Sequence, residues 1–128
     1  ILKRLQRERG LALLFISHDM NVIAQISDRI AVMYAGQIVE AGSTKAILEK
    51  PRHPYTKALL DCSPQLGKGQ VLPRAINGSP PLLEDLPDGC AFAPRCSFAT
   101  PACQKRPIDM NLIEDRSLRC IRMELVDG

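Results

Sequence analysis

The sequence predicts an α/β fold in which a strand–helix unit and a β-hairpin are followed by a small irregular extension that contains cysteines. Three observations carry this reading. The continuous apolar run Leu11–Ile16 ends in the polar turn Ser17-His18-Asp19 and leads into a helix-forming stretch. Two β-rich runs, Arg29–Tyr34 and Gln37–Glu40, flank Ala35-Gly36. Seven of the ten prolines then fall between Pro54 and Pro94, so the character of the chain changes after residue 50.

Taken in order, residues 1–9 read as the end of an amphipathic helix, stopped by Gly10. Leu11–Ile16 lacks alternation, which is the pattern of a strand buried on both faces of a parallel sheet. With its flanking helices it predicts a right-handed crossover unit. Asp19 is placed to cap a helix through Met20–Ile26. The runs on either side of Ala35-Gly36 predict a hairpin. Ser43-Thr44 caps a helix from Lys45 to Lys50, which Pro51 cannot continue. Pro54 suits the first position of one more helix, ending at Asp61. Beyond Pro64 the expectation is extended, irregular chain held by something other than a large core. At the other end, Ile1-Leu2-Lys3-Arg4-Leu5 reads as helix interior without a cap or a signal peptide, so the sequence is expected to begin within a fold.

Composition narrows the function classes. The chain has 128 residues, enough for one small domain or for part of a larger one. A hydrophobic share of 45% argues against global disorder. No run approaches the roughly 20 apolar residues that cross a bilayer. The net charge of +3 comes from 17 basic and 14 acidic residues, interspersed, with no Trp, two Tyr and three Phe. A basic stripe interleaved with aromatics is missing, so nucleic acid is not an expected partner.

His18 stands at the end of the apolar run. Ligands of open α/β sheets bind beyond the C-terminal ends of parallel strands, where an imidazole can donate to a phosphate oxygen or orient a water. The alternative is a half-buried histidine that only caps the next helix. Leu14-Phe15-Ile16-Ser17-His18-Asp19, followed by Ile30-Ala31-Val32-Met33-Tyr34-Ala35-Gly36-Gln37-Ile38-Val39-Glu40-Ala41-Gly42, resembles the switch-histidine segment and following hairpin of P-loop-type ABC ATPases. The resemblance implies that His18 contacts the γ-phosphate and the attacking water, as the one catalytic position matched here. The phosphate-binding loop Gly-x-x-x-x-Gly-Lys-Ser/Thr, the metal-binding aspartate with its glutamate, the glutamine loop and the glycine-rich signature do not occur in this sequence. Phosphoryl transfer depends on such groups, so this chain alone is expected to bind ATP negligibly and not to hydrolyse it.

Glu49-Lys50-Pro51-Arg52-His53-Pro54-Tyr55-Thr56-Lys57-Ala58-Leu59-Leu60 is similar to the C-terminal extension of the ATP-binding subunits of oligopeptide, dipeptide and nickel importers, in which His-Pro-Tyr is a hallmark. On this reading residues 1–50 are the C-terminal end of a nucleotide-binding domain and 51–128 are the extension. His53 itself reads as a cap of the Pro54 helix rather than a ligand, and Tyr55 and Leu59 share one helix face.

Five cysteines remain. Cys62 reads as a small buried side chain. Cys90, Cys96, Cys103 and Cys120 form a set of four thiols within a short span, with Gly89 and Pro94 shaping the loop and Arg95 placed to offset negative charge. Such a set suits zinc or an iron–sulfur cluster, although its intervals are wider than those of common zinc and ferredoxin sites. Four free thiols packed in a small subdomain are the other alternative. Pro87-Asp88-Gly89-Cys90-Ala91-Phe92-Ala93-Pro94-Arg95-Cys96, with Cys103, Pro107 and Cys120, resembles the longer peptide-importer extensions. That resemblance implies a [4Fe–4S] cluster on Cys90, Cys96, Cys103 and Cys120, with zinc as the alternative. It further implies a parent protein that uses ATP and Mg to energise import of di- or oligopeptides, or nickel. A second ATP-binding subunit and transmembrane permeases would be its partners, with an extracytoplasmic binding protein as an indirect one. The place implied is the cytoplasmic face of the inner membrane, as a peripheral subunit. A self-standing four-cysteine metal-binding or redox-sensing module is the competing reading.

Overall fold

The structure, a computed structural model, describes residues 1–63 and 75–122. Its helices are α1 (Leu2–Arg9), α2 (Met20–Ile26), α3 (Thr44–Glu49), α4 (Pro54–Asp61) and α5 (Ala102–Lys105). Its strands are β1 (Arg29–Tyr34), β2 (Gln37–Ser43), β3 (Asn111–Ile113) and β4 (Arg116–Leu118). They form a four-stranded antiparallel sheet in the order β1-β2-β4-β3. The fold is therefore α/β with a small antiparallel sheet, and the late hairpin β3–β4 pairs directly with the early one through Glu40↔Leu118 and Ala41↔Ser117.

The helix boundaries follow the expected chemistry. Gly10 ends α1 with φ 61°, a left-handed conformation that glycine adopts without a Cβ penalty. The Asp19 carboxylate accepts from the backbone N–H groups of Asn21 (2.9 Å) and Val22 (3.3 Å) at the start of α2. Ser43 Oγ accepts from Ala46 N at the start of α3, and Pro54 opens α4. Thr44 ties α3 back to the end of α2, its Oγ1 donating to the Ser27 carbonyl at 2.7 Å.

One expected element is not formed among the described residues. Leu11–Ile16 forms no strand and has no ladder partner among the described residues. Its side chains are exposed, Leu14 and Ile16 by about nine-tenths. An apolar run without alternation becomes a buried strand only where other strands pair with both of its edges, and the described residues supply none. The parallel crossover unit expected around it is likewise not formed among the described residues. The irregular stretch expected beyond Pro64 lies partly outside the described residues, at 64–74 and 123–128. Where it is described, it is not wholly irregular. It carries short 3-10 turns at Leu83–Asp85 and Ala93–Arg95, helix α5 and the β3–β4 hairpin.

The first hairpin turns at Ala35 (φ 48°) and Gly36 (φ 79°), the pair of positive φ values of a type I′ turn. β1 alternates cleanly, with Ile30, Val32 and Tyr34 inward. β2 does not. Val32 faces Glu40 but Met33 faces Ile38, so Val39 is an extra residue and the strand bulges. Val39 and Glu40, though consecutive, are both buried. The core around them combines Ile30, Val32, Tyr34, Val39 and Ile47 with Phe92 from the cysteine-bearing segment. Among the described residues no helix is long and apolar enough to cross a membrane.

Candidate functional site

The bulge places a carboxylate where a core side chain would otherwise sit. Glu40 is fully buried, and its Oε1 accepts from Arg116 Nη1 at 3.0 Å and from Arg52 N at 2.9 Å. Its Oε2 accepts from His53 N at 3.0 Å. Arg116, 4% exposed, also donates to the carbonyls of Lys50 (2.6 Å) and Ala46 (3.2 Å) at the end of α3. A buried carboxylate needs such company, because an unpaired one would cost several kcal/mol. Together these bonds fix the backbone of Arg52 and His53 against the sheet just before α4 begins.

His53 is 1% exposed. Its Nδ1 accepts from Tyr55 N at 3.1 Å, so the cap expected from the sequence is present. The opposite ring atom, Nε2, is buried without a hydrogen-bond partner. Burial lowers the imidazole pKa to about 4, and the Arg119 backbone only partly offsets this. Tyr55, two residues on, packs its ring 4.6 Å from that of Tyr34 and 5.3 Å from that of Phe92. Leu59 joins Tyr55 against the same core, as their spacing predicts.

The cysteine-bearing segment is docked by close backbone approach. Gly89 N donates to the Gln104 carbonyl at 3.1 Å, and Cys90 N donates to the Cys103 carbonyl at 2.7 Å. A Cβ on Gly89 would lie 2.2 Å from the Cys103 oxygen, so only glycine permits this contact. Arg119 secures the other side. Its N donates to the Val39 carbonyl, its Nε to that of Ile38 and its Nη1 to that of Ile108. This fixes the chain one residue before Cys120.

The result is one small cavity, about 20 Å³, lined by Cys90, Cys96, Cys103, Cys120, Phe92 and His53 among others. All four cysteines singled out as a set in the sequence line it, and none is in a disulfide. Cys62 is half-buried, away from this cavity. Burial pushes the thiols of Cys90, Cys96 and Cys120 up, Cys120 to about 11, and proximity to one another pushes in the same direction. Backbone N–H groups pull the other way, those of Phe92 and Ala93 at Cys90, of Phe98 and Ala99 at Cys96, and of Arg122 at Cys120. The Cys120 sulfur accepts from Arg122 N at 3.3 Å and the Cys103 sulfur from Thr100 N at 3.4 Å.

The cavity thus gathers four thiols, two of whose sulfurs accept backbone N–H groups. Among the described residues no three His, Cys, Asp or Glu side chains are grouped so that they could hold a metal ion.

The remaining sequence candidates lie elsewhere. His18 occupies an exposed bend before α2, where Ser17 Oγ accepts from Asp19 N at 3.0 Å, and it does not line the cysteine cavity. Arg95 directs its guanidinium to the carbonyls of Ile76, Asn77 and Gly78 and to the Tyr34 hydroxyl, strapping residues 76–78 onto the hairpin. Sequence reasoning missed Glu40 and Arg116. The available signal was a charged residue inside an otherwise apolar strand run.

Comparison with known proteins follows the same outline. The family described as "Oligopeptide/dipeptide transporter, C-terminal region" matches residues 39–103, a stretch that holds Glu40, His53, Tyr55 and the first three cysteines of the cavity. A putative peptide import ATP-binding protein of Brucella ovis is 44% identical over 97% of this chain. A probable D,D-dipeptide transport ATP-binding protein of Escherichia coli is 46% identical over 94% of it. The chain spans 39% and 36% of the lengths of these two relatives. On a match that runs from the bulge in β2 to the third cysteine, the chain belongs to the oligopeptide/dipeptide transporter C-terminal region family.

Proposed function

We propose that this chain is the C-terminal region of an ATP-binding subunit that energises the import of di- or oligopeptides. Residues 1–50 are the last part of the nucleotide-binding domain, and residues 51–128 are an extension built onto its hairpin. The observation that carries the reading is the junction itself. Glu40, on the hairpin, holds the backbone of His53 in the His-Pro-Tyr segment, and that segment borders the four-cysteine cavity. The relatives' names, peptide import and D,D-dipeptide transport ATP-binding proteins, support the transport role.

In the assembled transporter ATP and Mg bind to groups outside this sequence, and His18 faces the γ-phosphate and the attacking water. The exposed apolar run Leu11–Ile16 just before it suits a strand that pairs with other parts of that domain. The partners are a second ATP-binding subunit and membrane-spanning permeases, at the cytoplasmic face of the membrane, with the peptide-binding protein acting on the far side.

The cysteines hold a [4Fe–4S] cluster. Four thiols around one cavity, backed by backbone N–H groups, are the donor type of such a cluster, and their wide spacing in sequence suits a cluster better than zinc. When bound, the cluster supplies cross-linking energy to a segment with few core residues, a structural or regulatory role. This chain's own residues orient the thiols: Gly89 by close docking, Arg119 by fixing the approach to Cys120, and Phe92 by closing the cavity against the aromatic core.

The test of the transport reading is ATP-driven uptake of labelled peptide by the assembled transporter in sealed vesicles. Replacing His18 by Ala is expected to lower uptake about 100-fold or more. Undiminished uptake in that variant contradicts the role given to His18, and failure of the intact assembly to move any peptide contradicts the function.

A further inference from the structure

Two of the four cavity cysteines are joined more closely than the rest. Cys90 N donates to the Cys103 carbonyl at 2.7 Å, and one residue earlier Gly89 N donates to that of Gln104 at 3.1 Å. A Cβ on Gly89 would lie 2.2 Å from the Cys103 oxygen, so no space is left between the two main chains at this point. Among the described residues no other two of these cysteines share a backbone hydrogen bond.

A main-chain bond of this length brings two Cα atoms to about 5–6 Å from each other. Disulfides span Cα separations of about 4.4–6.8 Å, so the backbone already sits where a bridge needs it. Both side chains line the same cavity, and both are free thiols. The Cys103 sulfur is kept in place by Thr100, whose N lies 3.4 Å and whose Oγ1 lies 3.5 Å from it. Access to the two differs. Cys90 is half-buried, whereas Cys103 is only 6% exposed. A small reagent therefore meets Cys90 first, with Cys103 behind it as the second thiol.

We propose that Cys90 and Cys103 are a redox-responsive dithiol, a site that reacts with low-molecular-weight disulfides and closes to a Cys90–Cys103 bridge. In the first step the Cys90 sulfur, as thiolate, attacks one sulfur of the reagent. The reagent's S–S bond breaks, a mixed disulfide forms on Cys90, and one thiol leaves with the proton that Cys90 gave up. In the second step the Cys103 sulfur attacks the Cys90 sulfur, the mixed disulfide breaks, and the second thiol leaves with the Cys103 proton. The protein gives up two hydrogens and two electrons, and the reagent takes them as two thiols. In reducing compartments such bridges are transient and serve as sensors. The bridge forms in the chain with no metal on these sulfurs, so it does not depend on the [4Fe–4S] reading. In a chain that assembles the cluster, it withholds two of the ligands.

The experiment uses the full chain, reduced and freed of metal by a chelator, then exposed without oxygen to graded oxidised glutathione. The reaction is quenched with acid, free thiols are alkylated, and the peptides are mapped by mass spectrometry. The expected main product is a Cys90–Cys103 cross-linked peptide, with Cys62, Cys96 and Cys120 alkylated. In Cys103→Ser the glutathione is expected to stay on Cys90, in several-fold larger amount than in the wild type. The proposal is overturned if both thiols stay alkylatable at oxidant levels that bridge the same chain unfolded in urea. A main product that joins Cys90 to any other cysteine overturns it as well, as does glutathione on Cys96 instead of Cys90 in Cys103→Ser. Iron uptake by the reduced chain, measured in parallel, tests the other reading. Iron without the bridge overturns this proposal and leaves the cluster standing, and the bridge without iron does the reverse.

Discussion

Arg116 Nη1 lies 3.0 Å from Glu40 Oε1, and the two side chains, 76 residues apart in sequence, are 4% and 0% exposed. This buried pair joins β4 to the bulged strand β2, and the same carboxylate holds His53 N. The late part of the chain is therefore anchored to the early hairpin by charge as well as by strand pairing.

Removing either member leaves the other charge buried. Arg116→Met is expected to destabilise the chain by about 3–5 kcal/mol in urea denaturation. Adding Glu40→Leu to it is not expected to restore stability. Two backbone donors, Arg52 N and His53 N, lose their acceptor in that variant, at about 1–3 kcal/mol each. Full recovery in the double variant would show that the carboxylate matters only for its partner arginine.

Gly89 is expected to tolerate no side chain. In Gly89→Ala the Cβ would sit 2.2 Å from the Cys103 carbonyl oxygen and 2.9 Å from that of Arg106, so the loop bearing Cys90 must lift from α5. The expected outcome is iron content well below wild type and a loss of about 1–3 kcal/mol of stability, read by denaturation of the same preparations.

The first hairpin can be improved. Ala35 occupies a left-handed conformation, φ 48°, which disfavours a Cβ and suits Asn or Gly. Ala35→Asn, giving an Asn-Gly type I′ turn, is expected to stabilise the chain by about 0.5–1 kcal/mol with no change in iron content. A lower melting temperature would contradict the turn assignment.

Acid should unfold the metal-free chain early. His53 is held down to about 4 by burial, against an ordinary value near 6.5. Below 6.5 the unfolded state takes up the proton that the folded state refuses, so stability is present above that pH and is lost as pH falls toward 4. The full difference is about 3 kcal/mol. His53→Asn is expected to flatten this dependence in denaturation series run from about pH 7 to about pH 4, and an unchanged slope would place the acid sensitivity elsewhere.

Much of this architecture is legible in local chemistry. Gly10, Asp19, Ser43 and Pro54 mark helix ends because each acts on backbone groups within a few residues of itself. Ala35-Gly36 marks the hairpin for the same reason. Leu11–Ile16 forms no strand among the described residues because a strand is defined by its neighbours, and composition cannot say whether any are present. The register slip at Val39 cannot be read either, since it is settled by pairing across the turn, and without it Glu40 appears to face solvent. The three-residue strands β3 and β4 carry too short a pattern to see, and the turn between them uses Glu114 at φ 55° instead of a glycine. The four cysteines are visible as a set from their number and grouping. That His53 joins them is not, because the contact depends on how α4 is held by a carboxylate thirteen residues earlier.

The most direct measurement of the central claim is the iron and sulfide content of the full chain purified under strict anaerobiosis, alongside a variant with Cys96→Ser. The expected result is about four iron and four sulfide per chain with a broad absorbance near 400 nm in the wild type, and loss of both in the variant. A wild-type chain with no iron and no such absorbance, or with one zinc per chain in its place, would contradict it.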